Sequence, residues 1–275
     1  MPHTEASGAR IHWEEDGEGD PLLLVMGFAL SSDAWTPMLP LLGGFHVIRF
    51  DNRGTGGSGA GGDGYSVAAM AEDAVAVLDA AGVERAHIHG ISMGGMIGLA
   101  LALDHPGRVG SLALGCTTAS PLRIAADGQV VELAQATVLM ASDPDAALDR
   151  LLPLLFSDAF LAANPGVREL GQVLTASGSR PEDAMATIRA IADLGTGRAF
   201  DVGDRLGEIN VPTLIQHGTA DRLIPVEEGR RLAAGIAGAE YQELEGAGHA
   251  YGLERPMEAF GRLLGFLAAH PLARG

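Results

Sequence analysis

Lysine is absent from this 275-residue chain, so all 18 basic side chains are arginines, and 35 acidic ones outnumber them for a formal net charge of −17. The longest arginine run is Arg230-Arg231. A nucleic-acid partner needs clustered cations to neutralise phosphates, so that class of partner is excluded. Cysteine is nearly absent too. Cys116 is the only one, which rules out an internal disulfide and leaves nothing that points to an oxidising compartment. No apolar run approaches membrane length. The first residues carry Glu5, Glu14, Glu15 and Asp16 where a secretory leader would have a basic start and an apolar centre. These absences predict a cytoplasmic protein with no membrane partner, kept dispersed by its negative charge.

What is present has a clear rhythm. Apolar strands are predicted over 22–24, 46–50, 86–89 and 111–114, with helical segments over 35–42 and 67–81 between the first three. Such alternation is the signature of a parallel sheet covered by helices. From about residue 118 to 205 the strands stop, and helical pieces follow one another, broken at Pro121, Asp143-Pro144, Asn164-Pro165 and Arg180-Pro181. The rhythm resumes with strands over 213–216 and 240–244 and closes on a helix over 256–269. This predicts an α/β core made of residues 1–117 and 206–275, with 118–205 inserted as a helical cap. Leu151, Leu152, Leu154, Leu155 and Phe156 form the most apolar stretch of the cap, and Leu139, Met140 and Leu161 add to it. Most should hold the cap to the core, and a few should face a cleft. Cys116 should pack as a small apolar residue at the end of strand 111–114, and 59–64 reads as a loop.

The stretch that carries chemistry is Gly90-Ile91-Ser92-Met93-Gly94. It joins a strand to the Ala/Leu-rich helical run 96–103, so Ser92 sits on a sharp strand-turn-helix elbow, where flanking residues must be nearly free of side chain. The turn pushes the hydroxyl out above the sheet and aims unpaired helix N–H groups at any negative charge that forms there. A serine hydroxyl is a weak nucleophile and needs a base, itself oriented by a third group. Downstream, strand 213–216 runs into a polar turn ending at Asp221. Strand 240–244 runs into Gly246-Ala247-Gly248-His249, whose small neighbours leave the imidazole free to reach inward. The order Ser92, Asp221, His249 is therefore complete.

That order, each member following a strand, resembles the α/β-hydrolase family. Nearly the whole chain shares the resemblance. Val25-Met26-Gly27-Phe28 matches the family's first oxyanion loop, with Met26 where the family usually has histidine, and Asp51-Asn52-Arg53-Gly54-Thr55-Gly56-Gly57-Ser58 is similar to its D-x-R-G-x-G-x-S loop. The resemblance implies a mostly parallel sheet flanked by helices and a Ser92–His249–Asp221 triad. It also implies backbone donors at Phe28 and Met93 for the oxyanion, with no cofactor and no metal. Serine at the elbow, instead of aspartate, argues against the carboxylate-nucleophile branches. The pattern is most similar to small bacterial esterases and lactonases, such as oxoadipate enol-lactonases and polyketide methylesterases. Carbon–carbon bond hydrolases, cofactor-free perhydrolases and receptor-type binding proteins share the fold and stay open at this point.

Several motifs compete. Gly54-Thr55-Gly56-Gly57-Ser58-Gly59 satisfies G-x-G-x-x-G, yet a dinucleotide turn must open directly into a helix, and here the glycines continue to Gly64. His87 and His89 share a strand face without a third ligand nearby, so they read as buried histidines. Asp51 and Arg53 read as an ion pair bracing their loop. Asp204, Glu208, Glu243 and Glu245 rival Asp221 as the acid, but each reads as solvated. Trp35, beside the oxyanion loop, and the cap stretch 151–156 predict hydrophobic contact with a neutral small-molecule ester or lactone. Arg123, Arg150 and Arg189 in the cap are the groups that would reverse that preference by binding a carboxylate.

Overall fold

In the computed structural model, residues 2–60, 64–125, 128–176, 178–192 and 200–272 are described. Residues 61–63 of the predicted loop 59–64, and residues 193–199 within the block 118–205, lie outside them. Eight strands form one sheet: β1 (His3–Ala6), β2 (Ala9–Asp16), β3 (Asp20–Val25), β4 (Phe45–Phe50), β5 (Ala86–Ile91), β6 (Val109–Gly115), β7 (Thr213–Gly218) and β8 (Glu240–Leu244), in the order β1-β2-β4-β3-β5-β6-β7-β8. From β4 to β8 all pairs are parallel, while β1, β2 and β4 pair antiparallel. The sequence rhythm does not pick out the opening hairpin. Its turn is Ser7-Gly8, with φ of 44° and 82°, the two positive values that a two-residue hairpin needs, and Ser-Gly is a weaker signal than Asn-Gly.

One face of the sheet is covered by α1 (Val67–Ala80), α2 (Met93–Asp104) and, further along the chain, the helix at Val226–Gly235. The opposite face is covered by a 3₁₀ segment, Ser32–Leu42, and by the last helix, Pro256–Ala269. Residues 35–42 are thus helical but not α-helical. Pro37 and Pro40 lie inside the segment and remove the N–H donors that a continuous α-helix requires. The α2 helix is buried on all sides from Met93 to Ala102, which is why its sequence is apolar all round and not amphipathic. It starts at once after Ser92, three residues earlier than the run of apolar residues suggests.

Between β6 and β7 come α3 (Pro121–Ala125), α4 (Gln129–Leu139), α5 (Pro144–Leu155), α6 (Asp158–Ala163), α7 (Val167–Ala176) and α8 (Pro181–Ala192), followed in the core by α9 (Val226–Gly235), α10 (Tyr251–Glu254) and α11 (Pro256–Ala269). Three of the four breaks read in the sequence are helix starts, at Pro121, Pro144 and Pro181, while Asn164-Pro165 lies in the turn between α6 and α7. Asp143 caps α5 by accepting from Ala146 N at 3.0 Å, with Pro144 next, where its missing N–H costs nothing. Three hydrogen bonds are among the contacts that join this helical block to the rest of the chain. Tyr65 Oη donates to Asp183 Oδ1 at 2.7 Å, Ser179 N donates to Ala29 O at 3.1 Å, and the Ser157 hydroxyl donates to Glu254 Oε2 at 2.6 Å.

One sequence expectation is overturned. Asp51 and Arg53 do not pair with each other. Asp51 accepts from Ser32 N at 2.7 Å and Gly57 N at 2.8 Å, with His12 Nδ1 at 3.0 Å. Arg53 instead forks onto Asp73 of α1 through Nε and Nη2, both at 2.7 Å. A bidentate guanidinium needs a carboxylate in its own plane, and one across the layer supplies it better than a carboxylate two residues back on the same loop.

Candidate active site

Four loops leave the C-terminal ends of parallel strands on the same edge of the sheet, the edge where open α/β sheets place ligands. They follow β3, β5, β7 and β8, and they carry Phe28, Ser92, Asp221 and His249. Ser92 has φ 57° and ψ −122°, a conformation that costs a non-glycine residue roughly 1–3 kcal/mol and persists only when its surroundings enforce it. The enforcement is visible. A Cβ on Gly90 would lie 2.2 Å from Gly94 O, and one on Gly94 would lie 2.1 Å from Val25 O, so both positions exclude any side chain. Ser92 N donates to Gly115 O at 2.8 Å, and the Thr117 hydroxyl donates to Ser92 O at 2.6 Å, which ties the elbow to β6. As the first residue of α2, Met93 has no intrahelical acceptor for its N–H.

Ser92 and His249 line one cavity of about 220 Å³, bounded by the 26–30 loop, Trp35, Met38 and the inner faces of α4, α5 and α7. Its walls are apolar. The polar residues among them are Ser92, Thr137, Thr175, Ser179 and His249, and no charged side chain lines it among the described residues. Thr137 and Thr175 already donate to Leu133 O and Gly171 O within their own helices. Trp35 lines the cavity, buried, with its ring 5.3 Å from that of His89. Of the apolar stretch 151–156, Leu151, Leu152, Leu155 and Phe156 face the cavity, whereas Leu154 packs toward the core. Arg123 and Arg189 are exposed, and Arg150 is held outside by Glu132 at 2.8 Å.

His249 Nδ1 lies 2.8 Å from Asp221 Oδ2, and Asp221 Oδ1 accepts from Leu223 N and Ile224 N, both at 2.9 Å. Burial alone would push the Asp221 carboxyl up, but the adjoining His249 and the hydrogen bonds from His217 and His249 hold it well below the usual carboxylate range. Asp221 therefore stays ionised. Cys116, buried as expected, also faces this carboxylate. Burial first and the Asp221 charge second push its thiol well up, so it remains protonated. Of the rival acids, Asp204, Glu208 and Glu245 are exposed, and Glu243 is engaged by Arg230 at 2.7 Å.

His87 and His89 are buried side by side on β5, one beside Ser111 Oγ at 2.8 Å and the other beside Ala113 O at 3.2 Å. Other residues that serve the site carry no sequence motif. The Asn52 amide donates to Met26 O at 2.9 Å and so holds the 26–28 loop. Glu254 Oε1 accepts from Gly248 N at 3.0 Å and Ser157 N at 2.8 Å, which joins the His249 loop to the inserted helices. Such contacts depend on which loops meet in space, and no local spacing reports that.

A model of the α/β-hydrolase fold matches residues 20–256. The chain belongs to the α/β-hydrolase family. It is 36% identical over 263 residues to a protein of Variovorax paradoxus that carries the provisional name carbamate hydrolase RutD, covering 94% of this chain and 96% of the relative. Among solved structures, the enol-lactonase from Burkholderia xenovorans is 29% identical with a TM-score of 0.83, covering 97% of this chain and all of that one. Est816, described as an N-acyl homoserine lactone degrading enzyme, is 30% identical with a TM-score of 0.79 over the same share of this chain. This α/β hydrolase thus sits among enzymes named for hydrolysing small molecules. In its described residues no helix is long and apolar enough to cross a membrane.

Proposed function

We propose that this α/β hydrolase is a serine hydrolase that cleaves neutral, apolar carboxylic esters or lactones through an acyl-enzyme at Ser92, with the block 118–205 as its cap. One observation carries the reading: a strained serine and a carboxylate-bound histidine open into a single apolar cavity. Because Asp221 holds His249 Nδ1, Nε2 is the nitrogen left to take the Ser92 proton as Oγ attacks the acyl carbon. The oxyanion is received by the N–H groups of Phe28 and Met93, neither of which has a backbone acceptor among the described residues. Collapse expels the alcohol, which takes its proton from His249. Water then attacks the acyl carbon with His249 again as base, releasing the acid and restoring Ser92. Trp35 and the inner faces of α4, α5 and α7 supply contact for the apolar part of the substrate.

The names of the curated relatives favour a second reading, in which the carbonyl belongs to a carbamate. The same attack applies, but nitrogen lone-pair donation makes that carbonyl less electrophilic. A panel of linear esters, lactones and carbamate esters, run beside fluorophosphonate labelling with peptide mapping, tests both. The expected result is labelling of Ser92 alone and steady turnover that is fastest on apolar esters or lactones. Labelling that survives Ser92→Ala would overturn the nucleophile, and fastest turnover of the carbamates would favour the second reading. Stoichiometric binding without product release would point to a binding protein.

A further inference from the structure

The Asp221 carboxylate is met by a second histidine. His217, near the end of β7, has a fully buried side chain, and its Nε2 lies 2.9 Å from Ile224 O and 3.4 Å from Asp221 Oδ2. A carbonyl oxygen only accepts, so Nε2 carries the proton. At the other end of the ring, Nδ1 has no partner among the described residues and is pressed against Gly229 of α9, where a Cβ would stand 2.6 Å away. The ring is therefore wedged in one orientation, with a single N–H aimed between two acceptors.

Those acceptors belong to one loop. Oδ1 of Asp221 is occupied by the Leu223 and Ile224 amides, and Oδ2 is the oxygen that meets His249 Nδ1. The Ile224 amide bonds to the carboxylate while the Ile224 carbonyl bonds to His217, so a closed circuit runs Asp221, Ile224, His217 and back to Asp221. We propose that His217 is a positioning residue, whose Nε2–H locks the 221–224 loop and the Asp221 carboxylate in the one geometry that presents Oδ2 to His249. The proposal rests on the reading of Ser92 and His249 as nucleophile and base.

The other titratable groups facing this cluster are accounted for. Glu243 of β8 is engaged by Arg230, and Glu254 of α10 by Gly248 and Ser157. Tyr251 of α10 is buried beside Cys116, and the Cys116 thiol, after β6, also faces Asp221 but is a weak donor. A second donor on Oδ2 also draws off charge that would otherwise favour protonated His249, so losing it should make the base harder to free.

The test compares His217→Leu, which removes the donor, with His217→Gln, whose amide N–H can reach the same acceptors. Thermal midpoints verify folding, and His217→Asn, smaller and too short to reach Oδ2, takes the place of the Leu variant if that does not fold. The expected result for His217→Leu is a kcat lowered by about 10- to 100-fold, the range seen when partners that orient metal-binding histidines are removed. KM should change little, and the acid limb of kcat/KM should move to higher pH, with most of the loss recovered in His217→Gln. The same variants in a Ser92→Ala background should show the downfield proton NMR signal of the His249–Asp221 hydrogen bond displaced in Leu and retained in Gln. An unchanged signal and unchanged kcat in His217→Leu would overturn the proposal. So would equal loss in the folded Gln variant. Because the NMR signal is read without the nucleophile, a wild type that hydrolyses nothing while the signal behaves as expected would fail the Ser92 reading alone.

Discussion

Gly27 stands directly against Ser92: a Cβ at position 27 would lie 3.2 Å from Ser92 Cβ, 3.8 Å from its Oγ and 3.2 Å from Ile91 O. The fit is tight without being impossible, so a methyl group there would displace the neighbours by a few tenths of an ångström. The displacement falls on the elbow or on the 26–28 loop that carries the Phe28 N–H. Gly27→Ala is therefore expected to lower kcat by roughly 10- to 100-fold, since small misplacements of reacting groups are costly, while the thermal midpoint barely moves. Steady-state kinetics beside a melting curve check both halves.

Ser92→Ala and His249→Ala should each remove most of the rate, and the double variant should be little slower than either, because the proposed mechanism has the two act in one proton transfer. Asp221→Asn should fold but lose roughly 10⁴-fold in kcat, since an amide favours the wrong imidazole tautomer. Losses that simply multiply in the Ser92/His249 double variant would speak against a shared step. The depressed Asp221 carboxyl also has a consequence for stability. Its folded value lies below its unfolded one, so its contribution is complete above the ordinary carboxylate range and is lost only as pH falls through the lower folded value.

Buried His89 works in the opposite direction to most surface histidines. Burial lowers it to about 4, only partly offset by its hydrogen bond to Ala113 O. The unfolded chain takes up this proton near the usual value of about 6.5 while the folded protein refuses it, so stability is complete above that pH and declines as pH falls toward 4. The loss is on the order of 3 kcal/mol. Replacing His89 by Phe should flatten the fall of unfolding free energy between about pH 6.5 and 4, measured by urea titration. An unchanged slope would mean that other groups carry the acid sensitivity.

Much of this architecture is readable in the chain because the signals are local. The glycines around Ser92 report a steric demand made by atoms within four residues and by β3, and the apolar strands before 51, 92 and 221 each end in loops whose composition marks them. Contacts between loops distant in sequence are not readable this way. Asp51 and Arg53 look like partners because they are two residues apart, yet each finds its acceptor or donor elsewhere, 20 residues away for Arg53 and Asp73. His217 lies in the same polar turn as Asp221, and only the fold shows that its N–H returns to that carboxylate. The 3₁₀ segment is a different failure: helical spacing is present, but two prolines decide the kind of helix.

The Arg53–Asp73 pair, both side chains fully buried, gives a stability prediction. Burial pushes Asp73 up despite the guanidinium beside it, the mark of a costly site. Arg53→Met would leave that carboxylate without a counter-charge and should destabilise the protein by about 3–5 kcal/mol at neutral pH. Adding Asp73→Leu should recover a large part of the loss, because the pair removed together costs less than the pair broken. Chemical denaturation of the three proteins measures the coupling, and additive losses would contradict it.

Substrate charge provides the last prediction. A free carboxylate entering the cavity would lose its hydration and meet no cation, since no charged side chain lines the cavity among the described residues. The three arginines of the block 118–205 considered for that role lie elsewhere: Arg150 is bound to Glu132 on the outside, and Arg123 and Arg189 are exposed. The formal charge of −17 opposes anions at longer range as well, although salt screens that part. A neutral ester should therefore exceed its ω-carboxylate analogue in kcat/KM. The two causes separate with ionic strength: raising salt should narrow the gap through the screened field and leave the larger share, which comes from desolvation inside the cavity. A preference for the carboxylate that vanishes on replacing Arg123, Arg150 or Arg189 by Ala would show instead that one of these side chains turns inward on binding, and would move the substrate to an acidic lactone.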